Sequence, residues 1–448
     1  MITNLLTRLT GSLFCLTLLT QAAVAADVIV VPGDAPGVGF NDPTPATPIG
    51  GNPGTTVGQQ VLNVFQRAAN IWGGRLVSDQ PIVVIAFFTP RPCTATSGVL
   101  GSAGANWYFR DVPAANGGKG MIPNTWYPAA LAEKLTRKDI VADPADTFEI
   151  VTFFNSNLGK PGCLENTSWY YGLDNKEASN QIDLLAVVLH ELGHGLGFAV
   201  NPTSSNTGTR TFGFPSIWER YMFDVSANKR WIDMSDGERA TSARNNTNLV
   251  WAGQKVSNVI PSVLDFRPEI RVSEPSSLGT HEVQTATFGP QIRNNPGQPI
   301  SGTIVAPNDS GGVSLLDGCE PFPADPSIPG KIVLIRRGTC TTLLKVFNAQ
   351  AAGAKAVLIE NSFSTGLPPL SGTDSSVQIP AFGITQALGA SLRVALPNVS
   401  VAIQRSPRSR TGTTNGFVRL YTPTTFAAGS SVSHWDTTAM PNMLMEPF

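Results

Sequence analysis

The sequence predicts an α+β fold that gives way, from about residue 280, to an α/β stretch, and three observations carry the prediction. Val61, Leu62, Phe65, Ala68, Ala69 and Trp72 recur at helical spacing within residues 57–72. Residues 81–88 and 147–154 are continuous apolar runs of strand length. Beyond residue 280, strand-like runs alternate with amphipathic helical ones, the order of an α/β module.

The first 26 residues resemble a secretory signal, with Arg8 near the start, an apolar stretch over 13–19, and Ala23-Val24-Ala25 as a small-residue cleavage site. That apolar stretch is too short to remain as a membrane span, and no later run approaches ~20 apolar residues. The expected product is exported, secreted or periplasmic, without an integral membrane segment. Residues 27–55, rich in Gly, Pro, Asn and Thr, read as an irregular lead-in. The helix over 57–72 follows, stopped by Gly73-Gly74, and then the two strands. Ile182, Leu184, Leu185, Val187, Val188 and Leu189 then make a helix that is apolar on all sides, as a helix inside a domain is. Asn180 is its expected cap, Asp183 stands in its first turn where a negative charge suits the dipole, and Gly195 and Gly197 end it. Further on, 303–306, 331–336, 354–359 and 399–404 read as strands, and 342–352 and 386–396 as helices.

A formal net charge of −1 with 14% charged residues offers no basic field for nucleic acid, so none is expected as a partner. Of the five cysteines, Cys15 lies in the signal segment, which leaves Cys93, Cys163, Cys319 and Cys340. An even number in an exported chain favours disulfides, and no CxxC spacing supports a cysteine metal site. Three pairings exist; nearness in sequence favours Cys319 with Cys340, leaving Cys93 with Cys163. Nothing in the sequence fixes an oligomeric state.

The segment His190-Glu191-Leu192-Gly193-His194 sits inside the apolar helix. Histidines at i and i+4 share one helical face, so both imidazoles reach a single metal ion, and the intervening glutamate stands where a carboxylate can take a proton from water that zinc has acidified. HExxH also arises by chance in ordinary helices. Here the chain holds only four histidines, and a polar pentad at the end of a buried helix needs partners, which a Zn²⁺ ion supplies. The pattern points to a zinc-dependent peptidase acting on proteins or peptides, with His190 and His194 as ligands and Glu191 as general base.

Pro329-Gly330-Lys331-Ile332-Val333-Leu334-Ile335-Arg336-Arg337-Gly338-Thr339-Cys340, then Lys345 to Ala354, then Ile379-Pro380-Ala381-Phe382-Gly383-Ile384, closely resemble the protease-associated (PA) domain, a non-catalytic module usually attached to exported peptidases. The fuller motif from His190 to Gly197, HExxHxxG, resembles the metzincin peptidases, most of which place a third histidine three residues after the glycine. Val200 stands there instead. The leishmanolysin-like branch brings that histidine from far downstream in a Ser-His-Trp context, followed by a methionine turn. Ser433-His434-Trp435 and Asn442-Met443-Leu444-Met445 match it. The resemblance therefore implies His434 as third zinc ligand and Met445 as the Met-turn residue, with Met440 and Met443 not in that role. It also implies an α+β metzincin-like peptidase domain, 27–279 and 406–448, interrupted by an α/β PA domain at 280–405. The detour costs little, since loop closure adds only about 0.6 kcal/mol per doubling of length.

Two rivals stand beside this. Glu219, on an expected short helix, is a thermolysin-like alternative for the third ligand, with Arg220 as its neighbour; His281 lacks a second histidine four residues on and reads as a surface or interdomain residue. The alternative function is a secreted binding or surface protein with an inactive peptidase fold and the PA domain as interaction module, which the chain's end at Phe448, soon after Met445, favours.

Overall fold

The computed structural model describes residues 25–141, 147–200, 207–292, 299–364 and 366–447. The signal segment expected at the N-terminus lies, up to residue 24, outside them. The chain divides into two compact units, one ending at Gly197 and the other beginning at Phe198.

The first unit is an α/β layer. Strands β1 (Val28–Pro32), β2 (Ile82–Thr89) and β4 (Ile150–Asn155) run parallel, and β3 (Gly101–Ala105) closes the sheet antiparallel to β4, in the order β1-β2-β4-β3. Helices α1 (Val57–Gly73), α2 (Ala129–Thr136) and α3 (Leu184–Gly195) complete it. Ile82, Val84, Ala86 and Phe88 of β2 are buried while the residues between them are half-buried. Parallel strands covered on both sides read as unbroken apolar runs, which explains why β2 shows no polar alternation. Val61, Val64, Phe65 and Ala68 of α1 pack with Leu184, Val188 and Leu192 of α3 and with Phe154 of β4 in one core. Thr56 caps α1 by accepting the Gln59 N–H.

Two expectations need correction. The lead-in over 27–55 is not irregular throughout, since it contains β1, paired residue for residue with β2 from Val28 to Pro32. Strand β3 and helix α2 were not foreseen. Asn180 does not cap α3: residues Gln181–Asp183 form a short strand parallel to Ser168–Tyr170, so the helix starts at Leu184 and Asp183 is the cap, its carboxylate accepting the Leu185 N–H at 2.9 Å.

The second unit holds two sheets. In the smaller, antiparallel one, Leu249–Trp251 lies between Met222–Asp224 and Phe417–Arg419, so the chain returns after residue 410 to an element laid down before residue 266. The larger sheet has eight strands, including Phe266–Glu274 and Ser400–Arg410 paired antiparallel, and Ile300–Val305, Ile332–Arg336, Ala356–Glu360 and Ala381–Ile384 in parallel succession. Of these, Ile332–Arg336 up to Ile335, Ala356–Glu360 and Ala381–Ile384 are buried on both faces. Ile332, Leu334 and Leu358 pack with Leu388 and Leu392 of helix Gln386–Ala395, while Val333, Ile335 and Val357 pack with Val346 and Ala349 of helix Thr342–Ala351. Thr341 and Thr385 cap these two helices. Cys93 is bonded to Cys163 and Cys319 to Cys340, the pairing favoured by the sequence.

Candidate metal centre

Helix α3 is built to hold a polar pentad in place. Its apolar positions bury Leu184, Leu185, Val188 and Leu192, and the Trp72 indole N–H of α1 donates to the Leu189 carbonyl at 3.1 Å, stitching the two helices together one residue before the motif. The helix stops at Gly195 because Gly197, at φ 113°, turns the chain through a region closed to most side chains. Gly195 itself lies so close to β4 that a Cβ there would stand 2.3 Å from Cγ2 of Ile150.

His190 and His194 are both half-buried, their rings inclined at 76°, and their Nε2 atoms converge to 3.1 Å. Two nitrogens bound at ~2.0–2.1 Å in a tetrahedral Zn²⁺ site stand about 3.3 Å apart, so this pair has the spacing a shared zinc requires. Glu191, 8% exposed, sits against β3: a Cβ on Gly101 would lie 3.0 Å from its Cγ, and the Ala103 backbone N–H donates to its carboxylate. Burial pushes its carboxyl up to about 7, with the Ala103 N–H and the Arg91 guanidinium pulling in the opposite direction. Arg91 is itself held by the Ser102 hydroxyl at 3.0 Å and lies over the Phe153 ring. Sequence reasoning missed this wall. Its only trace was the run Gly101-Ser102-Ala103-Gly104-Ala105, whose small side chains let a strand approach a helix closely.

The other residues singled out lie in the second unit. His434 is buried at 4% exposure, with Nδ1 hydrogen-bonded to the Ser430 carbonyl at 2.9 Å. The next residue, Trp435, donates its N–H to the Met445 carbonyl at 2.9 Å, so the Ser-His-Trp stretch and the methionine turn lie side by side. Met445 is buried, Met443 half-buried and Met440 40% exposed. Glu219 is fully buried with its carboxylate committed: Oε1 accepts from Arg210 at 3.0 Å and from the Trp231 indole at 3.1 Å, and Oε2 from the Ser216 N–H at 2.6 Å. His281 stands in strand Thr280–Glu282 opposite Ile270, its Nε2 bonded to the Leu278 carbonyl.

Residues 300–392 match the PA domain. Over 140 residues the chain is 31% identical to vacuolar-sorting receptor 3 of Arabidopsis thaliana, covering 28% of this chain and 22% of the receptor. Over 88 residues it is 39% identical to signal peptide peptidase-like 2 of the same plant, covering 19% of this chain and 16% of that one. The chain thus spans about a fifth of the length of the curated relatives it matches. Among solved structures it is similar to BSAP, a zinc aminopeptidase from Bacillus subtilis, at 25% identity and a TM-score of 0.23, over 35% of this chain and 38% of that one.

The PA domain carries the Cys319–Cys340 disulfide and, behind it, a buried lysine. Lys345 is 1% exposed; its ammonium donates to the Asp317 carbonyl and to Sγ of Cys319. Burial pulls its pKa below the ordinary lysine value, while the carboxylates of Asp317, Asp309 and Glu320 resist that shift. Among the described residues no helix is long and apolar enough to cross a membrane.

Proposed function

We propose that the chain is an exported zinc-dependent endopeptidase of the leishmanolysin-like metzincin type, its peptidase domain interrupted over 280–405 by the PA domain. His190, His194 and His434 would hold one Zn²⁺, and Glu191 would act as general base. The observation that carries this is the convergence of two half-buried imidazoles to zinc-ligand spacing on a helix whose intervening glutamate is itself buried.

His434 suits the third position on chemical grounds. Its Nδ1–H donates to the Ser430 carbonyl, which keeps the proton on Nδ1 and the lone pair on Nε2, the arrangement that orients a histidine ligand. Met445 would lie beneath the centre as the Met-turn residue. Glu219 is the weaker candidate, because metal binding would strip Arg210, Trp231 and Ser216 of their acceptor.

Zinc, when bound, supplies a Lewis acid that polarises water and the scissile carbonyl. The remaining work falls to Glu191: its carboxylate takes the proton released as water adds to the carbonyl carbon, then delivers it to the amine nitrogen as the C–N bond breaks. Strand β3 stands against this side chain, with Gly101 beside its Cγ and the Ala103 N–H on its carboxylate. The two disulfides support an exported setting, where proteins or peptides would be the substrates. Casein hydrolysis is expected to vanish with 1,10-phenanthroline and return with added zinc, and Glu191→Ala is expected to keep its zinc while losing hydrolysis. Full activity of Glu191→Ala would end the proposal.

A second reading, a binding protein on an inactive peptidase fold, draws on the PA domain and its similarity to part of a sorting receptor. A wild-type protein that holds zinc yet never cleaves casein or gelatin would favour it.

A further inference from the structure

We propose that the PA domain carries a calcium site formed by Asp309, Asp317 and Glu320. The three carboxylates offer one oxygen each within 4.8 Å of one another. Two oxygens each ~2.4 Å from one Ca²⁺ ion stand at most ~4.8 Å apart, so no pair of the three is too widely spaced to share an ion of that size.

Proximity alone would not make a site; the state of Asp309 does. It is 3% exposed, and among the described residues neither of its carboxylate oxygens meets an N–H or hydroxyl donor; the polar group beside it is another carboxyl, that of Asp317. Buried polar groups are almost always paired, and an orphaned carboxylate is among the most costly groups to leave without a counter-charge. One oxygen of Glu320, Oε2, is buried and lacks a donor in the same way. Asp317 differs: Oδ1 accepts the Cys319 N–H at 3.1 Å and Oδ2 the Thr339 hydroxyl, which leaves it aimed by its own loop.

Charge leads to the same ion. The attraction of Lys345 reaches all three carboxylates, and three negative charges against its one positive leave two, which a divalent cation cancels. The ammonium spends its hydrogen bonds on the Asp317 carbonyl and the Cys319 sulfur rather than on the carboxylates. All the donors are hard oxygens, and both nearby sulfurs are locked in the Cys319–Cys340 disulfide, so the set suits calcium better than a thiophilic metal.

The backbone is shaped around the cluster. Gly312, at φ 80°, lies under Glu320 so closely that a Cβ would meet both carboxylate oxygens at 2.4 Å. The Asp309 N–H donates to the Leu315 carbonyl at 2.9 Å and Ser310 N–H to the Pro321 carbonyl at 3.1 Å, folding the loop over 306–321 back on itself. A cation here would pin that loop to strand Ile332–Arg336, to which it is joined by the Arg336 N–H bonding the Leu316 carbonyl at 2.9 Å.

The test uses the full chain with zinc kept saturating and radiolabelled calcium measured by equilibrium dialysis against excess magnesium. One calcium per chain is expected, weakened at least about tenfold in Asp309→Asn and in Glu320→Gln, since removing a ligand charge lowers affinity. Melting gives a second readout whose sign reverses: without calcium Asp309→Asn should melt above the wild type, having lost one of three crowded carboxylates, and with calcium the wild type alone should rise. If Asp309→Asn does not fold, Glu320→Gln decides the matter. No bound calcium in the wild type, or undiminished binding in a folded variant, overturns the proposal.

Discussion

At Gly195 the polypeptide has no room for a methyl group, because the Cβ it would carry falls 2.3 Å from a branch of Ile150, itself 1% exposed. Gly195→Ala is therefore expected to lose about 1–3 kcal/mol by overpacking, read as a lower urea midpoint with an unchanged m-value. A glycine that merely frays the helix end would instead gain stability on replacement by alanine. The sequence marked Gly195 as a stop signal, yet it is the last residue of the helix and Gly197 turns the chain; that Gly195 sets the spacing between α3 and β4 depends on Ile150, far off in sequence. The same limit applied to Asn180 and Asp183. Both residue types cap helices, and only the pairing of Gln181–Asp183 with Ser168–Tyr170 moves the start of the helix to Leu184.

Elements with strong periodicity were legible, and those made by context were not. Helix α1 and strands β2 and β4 carry their burial pattern in the residues themselves, as do the strands and helices of the PA domain, whose apolar runs match both faces of a covered sheet. Strand β1 was hidden by its surroundings: Val28-Ile29-Val30-Val31 is β-branched throughout, yet it adjoins a stretch dominated by Gly and Pro. Strand β3 has no β-forming residue at all, and its existence rests on pairing with β4. Helix α2 carries a testable electrostatic load. Glu133, buried at 2% exposure, accepts the N–H groups of Ile140 and Val141, but burial pushes its carboxyl up to about 7, with Glu149 and Asp139 adding to the rise. The folded state then keeps the proton up to about pH 7 whereas the unfolded chain releases it near 4.5, so between those values the folded state holds more protons and stability falls as pH rises. Glu133→Gln should remove that component. Its melting temperature, compared with wild type across pH 4.5 to 7, should gain steadily toward the neutral end; a constant difference would refute the assignment.

For the whole molecule, the chain's course explains why a local motif was insufficient. HExxH announced itself because its chemistry lies within one helical turn, and its two imidazoles converge as that spacing demands. His434, proposed as the third ligand, has no such local signal; only the Ser-His-Trp context and the methionine that follows suggest it, and the return of Phe417–Arg419 to Leu249–Trp251 is the second unit's own record of an intervening stretch. The Gly101–Ala105 wall and the acidic loop of the PA domain were illegible for the same reason, being assembled from residues whose types carry no pattern. The most direct measurement is the zinc affinity of the purified chain in three forms: wild type, His434→Ala and Glu219→Gln. Loss of a third ligand should weaken binding by at least about tenfold in His434→Ala, while Glu219→Gln, if it folds, keeps wild-type affinity. Wild-type zinc binding by His434→Ala, with loss in a folded Glu219→Gln, would contradict the three-histidine centre.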